Sequence, residues 1–398
     1  MFKKAKVTLL TAFLISAVAM PYSSAHAETS NNDKFEAYIQ EAINDELALH
    51  NIQNFSFQSL NEKSFTNELD NKIEDETLKE NIEKIKNADV TLLEFNGDGN
   101  LLSAESSKRG DISDEFIMET KAPVEMNSFE TEDQISKSLI SVQAAPSLPS
   151  GGIQLANNTS GDGAFHRLAT PASTATTSYT GSVADDIRFP GYDIATASSY
   201  GEAGYLYTGF DGAGGYAEVG FGTASSTVGS YPTAWFPLFH GNAKYGPIKD
   251  TGPGSSTNGY WYDTSKPYTA GQTVTGYKAY YKTSDQKLTI HYLIGYSELY
   301  VVRYPDISTA GLKVKRLTTI GLPIQSPPLP QTSIFHTGWT SEANWGNFRF
   351  LTNNGTSTAY PGEISGLSDQ TCLHGSKIYF LKKVISSTDR DESYWIYN

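Results

Sequence analysis

Lys287-Leu288-Thr289-Ile290-His291-Tyr292-Leu293-Ile294 sets the reading of this chain. Leu288, Ile290, Tyr292 and Ile294 fall on one side of an extended backbone and Thr289, His291 and Leu293 on the other, the two-residue period of a strand. Ser284-Asp285-Gln286 is a turn cluster that separates this run from Thr273 to Thr283, and Leu299 to Tyr304 follows it. All three runs are rich in Tyr, Thr, Val and Ile, residues that fit a pleated surface. Working outward, Glu202 to Phe210 and Tyr216 to Phe221 flank Asp211-Gly212-Ala213-Gly214-Gly215, a hairpin turn signal. Later strands are expected at Asn347 to Leu351, Lys377 to Ile385 and Ser393 to Tyr397. No comparable helical spacing follows Pro146, so the fold class is mainly β, an antiparallel β-sandwich or jelly roll. Pro323, Pro327, Pro328 and Pro330 form a stiff loop inside that single domain.

Composition divides the chain ahead of this region. From Glu28 to Ala145 there are 26 acidic and 10 basic residues, one Tyr and no Trp. From Pro146 onward there are 18 acidic and 17 basic residues, 22 Tyr and all five Trp. A break of that size marks a domain boundary. Residues 28–143 read as a small acidic α+β segment, an accessory module or pro-region. Residues 144–152, rich in Pro and Gly, read as a cleavable linker, and 153–398 as the β-sandwich domain. In the acidic segment Phe35, Ile39, Ala42, Ile43 and Leu47 recur at helical spacing, with Asp33 and Glu36 placed as a capping box. Phe65, Leu69 and Ile73, then Leu78, Ile82 and Ile85, continue the pattern with a break near Glu74. Val90 to Phe95 and Leu101 to Ala104 form a hairpin across Asn96-Gly97-Asp98-Gly99-Asn100. Asp98-Gly99-Asn100 lacks the spacing and closing Glu of a calcium loop.

The first 27 residues read as a secretory signal peptide. Lys3, Lys4 and Lys6 precede an apolar run from Val7 to Met20, Pro21 ends it, and Ala25-His26-Ala27 has the small-residue pattern of a cleavage site. That run is too short to span a bilayer and no longer one follows. The expected location is extracellular. A formal charge of −14 leaves no basic face for a polynucleotide, and a single Cys excludes a disulfide framework.

Motifs for catalysis are missing. Gly209 to Gly215 fails the phosphate-loop spacing because Ala217 stands where a Gly is required, and no helix follows. There is no nucleophile elbow and no His-Glu-x-x-His, and Cys372 and His374 lie too far apart along a strand for proton transfer. No cofactor signature or metal-ligand spacing is present. Asp185, Asp186, Asp193, Glu202, Asp211, Glu218, Glu298, Glu342 and Glu363 are available to a glycosidase but form no Glu-x-Asp-x-Glu cluster. Glu218 shares a strand face with Tyr216 and Gly220, which fits the floor of a groove or a solvated strand position, and the solvated position is the preferred reading. Thr289-Ile290-His291 and Tyr277-Lys278 show a weak likeness to alginate-lyase strands without the Arg- and Gln-containing motifs that accompany them.

The positive signal is aromatic. Tyr260, Trp261, Tyr262, Trp339 and Trp345 are the candidate ligand-binding residues, set among Gly, Asn, Ser and Thr. Sugar rings stack their C–H faces on aromatics while polar groups take the hydroxyls, so exposed rings would suit an extracellular polysaccharide or cell-envelope polymer. The expected function is a secreted, non-enzymatic β-sandwich that binds such a polymer. The alternatives are a polysaccharide hydrolase or lyase with an unrecognised site, and a structural surface or matrix protein.

Phe189-Pro190-Gly191-Tyr192-Asp193, Glu202 to Asp211, Ala217-Glu218-Val219-Gly220, Trp235-Phe236-Pro237 and Leu148-Pro149-Ser150-Gly151-Gly152 resemble the YrpD-type secreted proteins of Bacillus. The likeness covers the second part of the chain only. It implies export from a Gram-positive cell and a β-rich fold, and it brings no catalytic residue.

Overall fold

The computed structural model describes residues 31–52, 69, 71–119, 152–154, 163–174, 176–191, 203–223, 234–243, 260–321, 339, 341–372, 379–384 and 392–397. The signal peptide, the Pro323 to Pro330 loop, His374 and most of the 144–152 linker lie outside them. Two helices come first, α1 (Asn31–Leu49) and α2 (Glu76–Lys86). Asp33 sits inside α1, one turn later than a cap would. Asp75 is the cap of α2, its carboxylate accepting from the backbone N–H groups of Thr77 and Leu78. Residues 73–75 are not helical, as the spacing near Glu74 implies.

Strands β1 (Asp89–Phe95), β2 (Leu101–Ser106), β3 (Gly110–Asp111) and β4 (Phe116–Glu119) follow. Then come β5 (Gly152–Gln154), β6 (Gly163–Ala169), β7 (Tyr179–Arg188), β8 (Ala203–Gly212), β9 (Gly215–Thr223), β10 (Trp235–Asn242) and β11 (Tyr260–Asp263). The long central strands are β12 (Thr273–Tyr281), β13 (Lys287–Ile294), β14 (Glu298–Ser308) and β15 (Lys313–Gly321). The chain ends in β16 (Ala343–Gly346), β17 (Arg349–Thr352), β18 (Ser357–Ala359), β19 (Ser368–Cys372), β20 (Tyr379–Val384) and β21 (Glu392–Tyr397).

These strands make two sheets. The first runs β3-β2-β1-β14-β13-β12-β7-β16-β21-β20-β5, with β17 also on β7 and β18 on β17. The second runs β19-β6-β15-β8-β9-β10-β11-β4. Pairing is antiparallel except between β1 and β14, which run parallel from Asp89 opposite Glu298 to Glu94 opposite Arg303. At the other sheet β4 pairs with β11, Met118 opposite Trp261. The acidic stretch thus supplies one border of each sheet.

Alternation decides what fills the sandwich. Leu288, Ile290, Tyr292 and Ile294 of β13 point inward, with Tyr300, Val302 and Tyr304 of β14, against Ala217, Val219 and Phe221 of β9 and Phe239 of β10. Two tyrosine hydroxyls reach backbone carbonyls across the gap: Tyr277 donates to Val219 and Tyr292 to Gly220. This satisfies a polar atom that burial would otherwise leave at a cost of about 1–3 kcal/mol. The outer face of the first sheet is covered by the helices, where Phe35, Ile43 and Leu47 of α1 and Leu78, Ile82 and Ile85 of α2 pack on Leu293, Leu299 and Val301. Among the described residues no helix is long and apolar enough to cross a membrane.

Candidate functional site

The five aromatic candidates do not share a groove. Trp345 is 0% exposed, its ring edge-on to Tyr277 and Phe348 and its indole N–H donating to Thr318 Oγ1 at 2.9 Å. It belongs to the interior because it carries a buried cation. The Arg316 guanidinium lies over the Trp345 and Phe348 rings, at 5.6 and 4.9 Å from their centroids. Arg316 also reaches His166 Nδ1 at 3.0 Å, and His166 Nε2 meets Asp369 at 2.7 Å. Trp339, 4% exposed, is edge-on to Trp235. Tyr262 is enclosed with Tyr205, Tyr207 and Phe236. Trp261 points to the core side of β11, half-buried beside Phe95, and its indole N–H donates to the Gly99 carbonyl. The expected outward presentation is therefore corrected for Tyr262, Trp339 and Trp345: these rings fill space between and beside the sheets. Tyr260 stays half-buried on the outer face of the second sheet.

That outer face also holds a buried polar cluster where a solvated residue is expected from the sequence. Glu218 is not a solvated strand residue; it is 0% exposed. Register puts it in a row across five strands. Lys315 of β15 stands opposite Gly209 of β8, Gly209 opposite Glu218 of β9, and Glu218 opposite His240 of β10. The His240 ring lies 4.2 Å from that of Tyr260 on β11. Gly209 makes the row possible, since a Cβ there would stand 2.2 Å from Lys315 Cε. The lysine stem lies flat across β8, and its Nζ comes to 2.8 Å from Glu218 Oε1 and 3.0 Å from Asp211 Oδ1. The other carboxylate oxygen meets His240 Nδ1 at 3.0 Å, and Tyr216 OH meets His240 Nε2 at 3.3 Å.

Electrostatics fixes the charge state. Burial opposes ionisation of Glu218, but the Lys315 ammonium and His240 outweigh it and pull the carboxyl down to about 2. Burial likewise opposes charge on Lys315, and Asp211 and Glu218 together raise it above the ordinary lysine value. Burial, reinforced by the Glu218 charge, holds the Tyr207 and Tyr260 hydroxyls protonated far above the usual range. Tyr260 stacks on Tyr205 at 5.0 Å. Beside Tyr262 on the same face, Ile117 of the edge strand β4 is 39% exposed. Register therefore places Ile117 and half-buried Tyr260 at one border of the face, with fixed charge behind.

No family model matches the chain, and no curated protein matches it. Among the solved structures that are similar at low level are two peptidases. One is scytalido-glutamic peptidase with a peptide-based transition-state analog, at 6% identity and a TM-score of 0.35, over 58% of this chain and 98% of that one. The other is SCP-B, a member of the eqolisin family of peptidases in complex with the tripeptide Ala-Ile-His, at 6% identity and a TM-score of 0.34, over the same shares.

Proposed function

We propose that the chain is an exported β-sandwich protein that binds an extracellular polysaccharide or cell-envelope polymer at the outer face of its second sheet, along the border formed by β4 and β11. The observation that carries this reading is the pairing of a half-buried aromatic, Tyr260, at the sheet border with a fixed polar row, His240, Glu218 and Lys315, directly behind it. A sugar ring can stack on the tyrosine, whose orientation the buried row behind it already sets, so little is lost in ordering the site.

A polysaccharide hydrolase or lyase is the second reading, favoured by the contact of Glu218 with a histidine. Its weakness is chemical. A carboxyl held near 2 is a weak base and no acid at neutral pH, whereas acid–base catalysis works best with a group poised near the operating pH. Glu218 suits bracing more than proton transfer. Affinity electrophoresis in gels carrying neutral cell-wall and plant polysaccharides tests binding, and reducing-sugar release or absorbance of unsaturated ends, lost in Glu218→Gln, tests cleavage. Export is checked by N-terminal sequencing of protein from culture medium, with Glu28 expected as the first residue.

A further inference from the structure

Asp33 and Glu36 of α1 are exposed, but the other three acidic residues of the helix face the first sheet. Glu41 and Asp45, one turn apart on the helix, and Glu46, next to Asp45, all meet groups on or just beyond the strands of the first sheet. Lys282 Nζ lies 2.5 Å from Glu41 and 3.2 Å from Asp45, Lys278 Nζ lies 3.2 Å from Glu46, and Tyr280 OH donates to Asp45 at 2.7 Å. His291 stacks on Tyr280 with 5.1 Å between centroids, its Nε2 3.7 Å from Glu41. Arg303 of the same face bonds to Tyr38 of α1 and to Glu94 at 2.7 Å. His291 is 1% exposed, and its Nδ1 has no hydrogen-bond partner among the described residues.

Ion pairs are a poor way to glue a helix to a sheet. Replacing buried pairs by apolar residues of similar size is often neutral or stabilising, and the same helix already buries Phe35, Ile43 and Leu47 a few residues away. Three cations and an incompletely bonded histidine, arrayed beside an aromatic ring, make a surface suited to anionic groups, and α1 presents such groups to it. We propose that this face of β12, β13 and β14 is a second binding surface, for an acidic polysaccharide, and that the carboxylates of α1 occupy it in place of the ligand's. The ligand then competes with α1, and its apparent affinity is reduced by the fraction of molecules in which the helix has lifted. The surface is on the opposite sheet from the Tyr260 border and stands or falls separately.

The test uses the full chain and polygalacturonate, with neutral dextran as control. The double variant Glu41→Gln/Asp45→Asn leaves the buried Lys278–Glu46 pair intact and releases Lys282 and His291. It is expected to bind polygalacturonate about tenfold more tightly than the wild type, with no gain for dextran, and adding Lys282→Gln is expected to take the gain away. A folded double variant with unchanged affinity, or a gain that survives Lys282→Gln, overturns the proposal. Should the double variant not fold, Glu41→Gln alone removes the partly exposed pair with Lys282 and the longer 3.7 Å contact with His291. It is expected to bind about threefold more tightly, and equal binding overturns the proposal.

Discussion

Lys315 and Glu218 stand two strands apart in the second sheet yet touch, the ammonium 2.8 Å from the carboxylate across Gly209. Both are buried on the face turned away from the core, so neither can be neutralised by water if the other is lost. Lys315→Met is expected to destabilise the protein by about 3–5 kcal/mol, because Glu218 and Asp211 then share a buried site without a cation. Lys315→Met/Glu218→Gln should cost less than the lysine change alone. Urea unfolding of the two single variants and the double variant measures the coupling.

Gly209→Ala probes the same contact through the backbone. The new Cβ would also stand 2.8 Å from Lys315 Cγ, so the stem cannot stay where it is. A loss of at least about 2 kcal/mol is expected in the wild-type background and a much smaller one in Lys315→Ala, where the clash is gone. Equal losses in both backgrounds would show that the glycine serves some other contact.

Acid should act through Glu218. Its native carboxyl is held near 2 against an ordinary value of 4.5, so its stabilising contribution is full above 4.5 and is lost as pH falls toward 2. Glu218→Gln should be less stable than the wild type at neutral pH, with the gap narrowing as pH falls through that window. Thermal melts from pH 5 to about 2 check the convergence.

His291 gives the same sign for a different reason. Burial lowers its pKa from 6.5, against the attraction of Glu41, Asp45 and Asp285 and with the repulsion of Lys282. Above 6.5 both states are neutral there. Below 6.5 the unfolded chain takes up a proton that the native ring resists, so stability falls until the native ring itself titrates. The imidazole proton shifts of His291, followed by NMR, should titrate below those of a His in an unfolded peptide.

Much of the fold is legible because burial follows the two-residue period. Lys287–Ile294 forms a strand over the predicted residues, and the Asp211 to Gly215 turn closes a hairpin in which Gly212 pairs with Gly215. Leu78, Ile82 and Ile85 lie on the buried side of α2 as their spacing requires. The site is less legible because alternation tells which residues share a face, not whether that face meets water. β9 and β10 are buried on both faces, so a carboxylate on the side away from the core is no sign of solvent. Lys315 carries no motif and is invisible without register. The signal that could have found the row is Gly209, Gly220 and Gly222, three small residues on the face that also carries Glu218 and large tyrosines. At Gly220 a Cβ would meet the Leu206 carbonyl at 2.3 Å and Tyr207 Cα at 2.5 Å, backbone atoms of the paired strand β8, so the two strands approach too closely there for a side chain.

The central claim is that Tyr260 and the polar row behind it form a binding border. Affinity electrophoresis of the full chain through a panel of neutral cell-wall and plant polysaccharides measures it, with Tyr260→Ala run in parallel. Retardation by at least one polymer, reduced about tenfold in affinity or more by the loss of the ring, is the expected result. Migration unaffected by every polymer, or retardation that Tyr260→Ala leaves unchanged, would contradict it.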